Sequence, residues 1–181
     1  MRIPFLVFDI VSKFKTAAAA AVISAVFPYA YAQTAPSQMG PISHADIQRW
    51  ADAWNSQDIE TVMALFTPDV VINQPANPKP LESAGIRGFF TMIFKAYPDF
   101  HVDVTDAMVD GLKGVSIERV TGTWSGPYTD PATGETTPGN GRKFDHPGAM
   151  LLSYRPDHKI GRVDIYWDQL TVARQLGITP K

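Results

Sequence analysis

Apolar residues change their spacing once along this chain, at Pro98-Asp99-Phe100, and that switch bounds the fold. Upstream they recur at helical spacing; downstream they recur at every second position. Ser43 is a good helix N-cap with Asp46 in the first turn. Ile47, Trp50, Ala51 and Trp54 then predict an amphipathic helix over 44–55. Asp58 caps a second short helix carrying Ile59, Val62, Met63, Leu65 and Phe66, and Val70-Val71-Ile72 begins a strand. A Pro-rich loop over 75–80 leads to a third helix from Ser83 or Gly85 to Tyr97, stopped by Pro98. Strands follow over roughly 100–109, 114–126, 142–155 and 160–167, with turns at Asp110-Gly111 and around Asp157. Residues 127–141, rich in Pro, Thr and Gly, form a long surface loop. A short helix closed by Gly177 ends the pattern. Helices first and an antiparallel meander afterwards define an α+β layer, with a curved sheet packed against three N-terminal helices and a short C-terminal helix.

Composition narrows the function classes. Arg2, Lys13 and Lys15 precede an Ala-rich apolar run over 17–27, and Ala30-Tyr31-Ala32 is a small-x-small cleavage pattern. Residues 1–32 therefore read as a secretory signal peptide, with a membrane anchor as the alternative, although the run is short for a span of ~20 residues. Residues 33–42 read as a linker and 43–181 as the domain. The expected location is periplasmic or secreted, with no membrane association after cleavage. Without residues 1–32 the chain holds 13 basic and 17 acidic groups, a formal charge of −4, which excludes a basic nucleic-acid footprint. There is no cysteine, so thiolate nucleophiles and thiolate zinc sites are excluded.

The last strand carries the most polar chemistry. Asp164, Tyr166 and Asp168 share one face of Arg162-Val163-Asp164-Ile165-Tyr166-Trp167-Asp168, an arrangement that is costly within a sheet unless the face lines a pocket. Asp168 also stands where it would cap the terminal helix. His146 and His101 each open a strand and are candidates to donate to an oxyanion or orient an aspartate. The four histidines lack metal-ligand spacing, so no metal is expected. Glu118 and Arg119 are neighbours on opposite faces of one strand, so one of them faces inward if that strand is central; the pattern does not choose between them, and Arg119 is carried as a pocket candidate. Trp54, Trp124 and Tyr166 are the aromatic pocket candidates, and Asn73 is either a pocket amide or a turn residue before Pro75.

With the elements placed, the chain resembles the SnoaL-like polyketide cyclase (ester cyclase) family of the nuclear transport factor 2-like superfamily, from about Ile47 to Gly177. The resemblance rests on Gly122-Thr123-Trp124-Ser125-Gly126, Gly141-Arg142-Lys143-Phe144, Pro98-Asp99-Phe100, and Trp167-Asp168-Gln169-Leu170 with Gln175-Leu176-Gly177, in that family's order and spacing. Family members often have His where Trp124 stands, and a further Trp-Asp pair where this chain has Asp164-Ile165. The resemblance implies a cone-shaped fold and cofactor-free acid/base chemistry on a small hydrophobic, carbonyl-bearing molecule. A carboxylate would remove a proton next to a carbonyl, with Asp168 the first choice, Asp164 the second, and His146 in support. The rival readings are a noncatalytic carrier of an apolar ligand and a structural module, with a homodimer through the open sheet face.

Overall fold

A computed structural model of the chain describes residues 40–77, 79–130 and 134–178. The leader expected over 1–32, and all of the linker except its last three residues, lie outside the described residues. Those three are not a free linker. The Ile42 N–H donates to the Gly111 carbonyl at 2.9 Å, the Gly40 carbonyl lies 2.8 Å from His158 Nε2, and the Ile42 side chain is buried.

The described residues form four helices and eight strands in the order α1 (His44–Ser56), α2 (Ile59–Met63), β1 (Phe66–Asn73), β2 (Leu81–Glu82), α3 (Ser83–Ala96), β3 (His101–Asp110), β4 (Lys113–Thr123), β5 (Tyr128–Thr129), β6 (Thr136–Thr137), β7 (Lys143–Tyr154), β8 (Ile160–Trp167) and α4 (Gln169–Leu176). Asp46 closes the start of α1 by accepting from the Ser43 N–H at 2.8 Å and its hydroxyl at 2.9 Å. Asp58 does the same for α2 through the Glu60 N–H and the Thr61 hydroxyl. The helical spacing on α1 buries Ile47, Trp50, Ala51 and Trp54, and that on α3 buries Ile86, Phe90 and Phe94. Full burial of such a side chain contributes roughly 1.5–3 kcal/mol.

The main sheet has the order β2-β1-β8-β7-β4-β3. Its centre is antiparallel, with β4 matched to β7 from Lys113↔Ser153 to Thr123↔Lys143 and β7 matched to β8 from Gly148↔Trp167. Strand β1 joins β8 in parallel, because the chain returns to it only after α3 and the meander. Alternation then sorts the faces. Ser116, Glu118 and Val120 of β4, Phe144, His146, Met150 and Leu152 of β7, and Val163 and Ile165 of β8 turn toward the helices.

Two segments differ from the period-two reading. Strand β4 ends at Thr123, not at residue 126, because Ser125 and Gly126 turn to donate their N–H groups to the Ala96 carbonyl at the end of α3, at 3.2 and 3.0 Å. That satisfies a helix-end acceptor the ladder would have left open. A Cβ on Gly126 would lie 1.9 Å from the Lys95 carbonyl oxygen, so only glycine fits. The long 127–141 segment holds the small β5–β6 hairpin, and its base is tied by Gly141 N–H to the Trp124 carbonyl at 2.8 Å.

Candidate functional site

A cavity of about 380 Å³ opens between the inner sheet face, α3 and α4. Trp54 from α1, Phe89, Met92 and Ile93 from α3, and Val172, Ala173 and Leu176 from α4 form its helical walls. Val120, Phe144, His146, Gly148, Met150, Ile165 and Trp167 form the sheet side. The polar lining is sparse: His146, Tyr97, Tyr128, Gln74, Asn77, Asp130, Gln169 and the half-exposed Tyr166. This is a mostly apolar chamber with a few placed polar groups, the usual form of a small-molecule site.

His146 is the central polar group. It is 7% exposed, and its ring lies between Phe144 and Trp167, with centroids 5.8 and 5.6 Å away. Its Nδ1 lies 2.9 Å from the Pro147 carbonyl oxygen. A carbonyl only accepts, so Nδ1 carries a hydrogen, and in the neutral ring the lone pair is on Nε2. Tyr97 closes the same aromatic row at 5.2 Å from Phe144. Burial, helped by Tyr128, pushes its phenol up to about 12, so it stays an O–H donor at neutral pH. The indole N–H groups of Trp54 and Trp124 are buried without a partner among the described residues.

The last strand corrects the acid expected there. Asp168 does not line the cavity; it is the N-cap of α4, accepting from Leu170 N–H and Thr171 N–H at 3.0 Å each and from the Thr171 hydroxyl at 2.6 Å. The Thr171 hydroxyl and N–H and the Leu170 N–H hold its carboxyl below the usual carboxylate range, the wrong direction for a general base. Asp164 faces away from the core. It is clamped by Arg162 at 2.7 Å and by the Asn73 amide at 2.6 Å, and the guanidinium, against some burial and with the amide's help, keeps it ionised. Asn73 is thereby committed to the outer face and not to the pocket. Tyr166 reaches the cavity's mouth but is 56% exposed. The cavity side of β8 carries Ile165 and Trp167.

Arg119 and His101 are also corrected. Arg119 is an outer-face residue held by Asp145 with Nε–Oδ1 at 2.9 Å, and His101 is exposed against Asp103 at 3.1 Å. The inward member of the neighbouring pair is Glu118, which is 1% exposed, with neither carboxyl oxygen hydrogen-bonded among the described residues. Burial pushes it up to about 7, against the opposing influence of the Ser116 hydroxyl and the Trp50 indole. Trp54, Trp124 and His146 line the cavity. Tyr97 and Gln74 were not expected there; Tyr97 at the end of an apolar helix face and Gln74 in a turn carry no sequence signal for a pocket. Among the described residues no group of three or more His, Cys, Asp or Glu side chains is placed to hold a metal ion.

The fold is shared with solved structures. AclR from Streptomyces galilaeus, described as a proposed hydroxylase, superposes with a TM-score of 0.64 at 20% identity over 76% of this chain and 82% of its own. IdmH from Streptomyces antibioticus, a proposed polyketide cyclase, gives 0.59 at 25% identity over 75% and 98%. A proposed SnoaL-like polyketide cyclase from Jannaschia sp. CCS1 gives 0.63 at 22% identity over 80% and 100%. No curated relative matches the chain. The model of the SnoaL-like polyketide cyclases matches residues 45–176, from the first turn of α1 to the last residue of α4, and the chain belongs to that family.

Proposed function

We propose that the chain is an exported, cofactor-free acid/base catalyst of cyclase, isomerase or lyase type, acting on a small hydrophobic molecule that bears a carbonyl. The observation that carries this reading is His146, buried in an apolar chamber with Nδ1 spent on a backbone carbonyl and Nε2 left as a base. Nε2 takes a proton from the carbon next to the carbonyl. The C–H electron pair becomes the enolate double bond, and the negative charge moves to the carbonyl oxygen. The Tyr97 O–H, on the cavity wall, is the donor proposed for that oxygen. The enolate carbon then bonds to a second carbonyl carbon, whose oxygen takes the proton back from the imidazolium, or a different carbon of a conjugated enolate takes that proton; either way the imidazole is restored. The leader-like sequence over 1–32, with Arg2, Lys13 and Lys15 before an Ala-rich apolar run, supports a periplasmic or secreted site of action.

The test is exchange of α-protons in deuterated water, followed by NMR over a panel of small hydrophobic ketones and β-keto esters. Exchange that His146→Gln slows by about 100-fold or more supports His146 as the base. Exchange that survives this substitution in a folded protein removes it from that role.

A second reading, a noncatalytic carrier of an apolar ligand, draws on one observation: β8 shows the cavity Ile165 and Trp167 and sends its carboxylates elsewhere. A small molecule retained in native mass spectrometry, unconverted over time, would favour it. We also propose a homodimer through the outer sheet face, where Met108, Val115 and Leu151 stand side by side on β3, β4 and β7. Sedimentation of a monomer would dismiss it.

A further inference from the structure

We infer that Glu118 is a positioning residue for His146, a carboxyl set one layer behind the cavity wall that stabilises the imidazolium formed when His146 takes a proton. This rests on the role proposed above for His146.

Placement carries the inference. Glu118 is directly opposite Gly148 in the β4–β7 ladder, and His146 is opposite Val120. Glu118 and His146 are therefore diagonal neighbours on the same inner face, a spacing of about 7–8 Å with the Cβ atoms somewhat closer, within reach of a long side chain. Gly148, which lines the cavity, puts no side chain between them. Val120, Met150 and Trp54, all of which line the cavity, pack in the same core, while Glu118 itself does not line it. Neither carboxyl oxygen has a full hydrogen bond among the described residues; the Ser116 hydroxyl and the Trp50 indole act on it only weakly against burial, and the Trp50 N–H is given to Met150 Sδ at 3.1 Å. A fully buried carboxyl without a partner is destabilising, so its presence needs a reason outside the resting structure.

Few other charges face it. On its own strand the inward neighbour is the Ser116 hydroxyl. Its β3 partner is Val104. From α1 comes the Trp50 indole. Farther along the same layer, the Asp46 carboxylate is held by Ser43, Arg49 and His158, and the Tyr154 hydroxyl donates to the Asp46 carbonyl. On the inner face of β7 only His146 is left to respond to it. At an effective dielectric of about 20, a unit charge within about 10 Å is worth roughly one pH unit to its partner, which is the coupling expected when both groups are charged.

The experiment reads this coupling without a substrate. Protein labelled with ¹³C at glutamate carboxyls and ¹⁵N at histidine is titrated by NMR, as wild type, Glu118→Gln and His146→Gln. The expected result is one glutamate carboxyl that titrates far above its fellows and disappears in Glu118→Gln. The His146 ring signals follow the same transition and lose that step in Glu118→Gln, and His146→Gln moves the Glu118 transition upward by about one pH unit. His146 ring signals that pass through the Glu118 transition without a step would overturn the inference, as would a glutamate set in which every carboxyl titrates normally. If Glu118→Gln does not fold, the wild type and His146→Gln still decide the question. The two readings fail separately: α-proton exchange lost in His146→Gln with no coupling sinks this inference alone, while coupling without any exchange sinks catalysis and keeps the pair.

Discussion

Replacing Glu118 with Gln should remove a pH dependence of stability that the buried carboxyl creates. The side chain keeps its shape and loses its proton. In the folded protein the carboxyl is raised from 4.5 to about 7, chiefly by burial. Between those values the folded state holds a proton that the unfolded chain releases, so stability falls as pH rises through this window and levels off above it. A gap of roughly 2.5 units at 1.36 kcal/mol per unit is about 3 kcal/mol. Wild type and Glu118→Gln should therefore be of similar stability near pH 4.5 and diverge until, near pH 8, the variant is the more stable by about 3 kcal/mol. Urea unfolding at a series of pH values reads this as a midpoint difference growing to about 1–3 M for an m-value of about 1–3 kcal/mol/M. Titrating groups that do not interact with Glu118 are present in both proteins and cancel in the difference. A difference that stays constant across the window would refute the reasoning, since the carboxyl would then be equally solvated or equally paired in both states.

Three further outcomes follow from the same structure. Asp168→Ala should lower the thermal midpoint by uncapping α4, while α-proton exchange by the folded protein keeps the parent rate; a collapse of exchange at unchanged stability would restore Asp168 to the chemistry. Gly126→Ala should cost about 1–3 kcal/mol or more in chemical unfolding, because its Cβ would meet the Lys95 carbonyl oxygen at 1.9 Å, and a variant of parental stability would contradict that contact. Asp46 is pushed up by burial but pulled further down by the Ser43 N–H and hydroxyl, Arg49 and His158, so its carboxyl lies below 3.8. Its stabilisation is present above that value and lost as pH falls through the folded one, so the thermal-midpoint gap between wild type and Asp46→Asn should be full at neutral pH and close in acid.

The periodic elements were legible because each buries one face against a single layer. The 47/50/51/54 set on α1 and the 86/90/94 set on α3 have one solution, and the strands of the meander begin and end within a few residues of their period-two limits. Strand β4 overran in the reading because Trp124 extends its alternation, whereas Ser125 and Gly126 are drawn off by the carbonyl at the end of α3. That competition acts between residues far apart in sequence, and no local pattern displays it. The hairpin of β5 and β6 and the two-residue β2 were likewise too short to leave a period.

The site was harder to read for a related reason. Alternation shows which residues share a face but not which face is inside, and polar residues on both faces hide the difference. In β8, Asp164 and Tyr166 do share a face, but it is the outer one; Arg162 shares that face and satisfies Asp164 there, while Val163 and Ile165 are the buried pair. In β4 the choice between Glu118 and Arg119 turned on the same point. A guanidinium in a sheet interior suggests a pocket, yet the flanking Thr121 and Thr123 mark the outer face as one that tolerates hydroxyls, and Asp145 across the ladder on β7 gives Arg119 its partner. Val120 and Trp124 on the other parity mark the inner one, and Glu118 goes with them. A carboxylate inside was the less obvious choice because burial opposes its charge, and that opposition is what raises its pKa. The residue that an argument from cost alone would send to the surface is the one whose cost makes it able to exchange a proton near neutral pH.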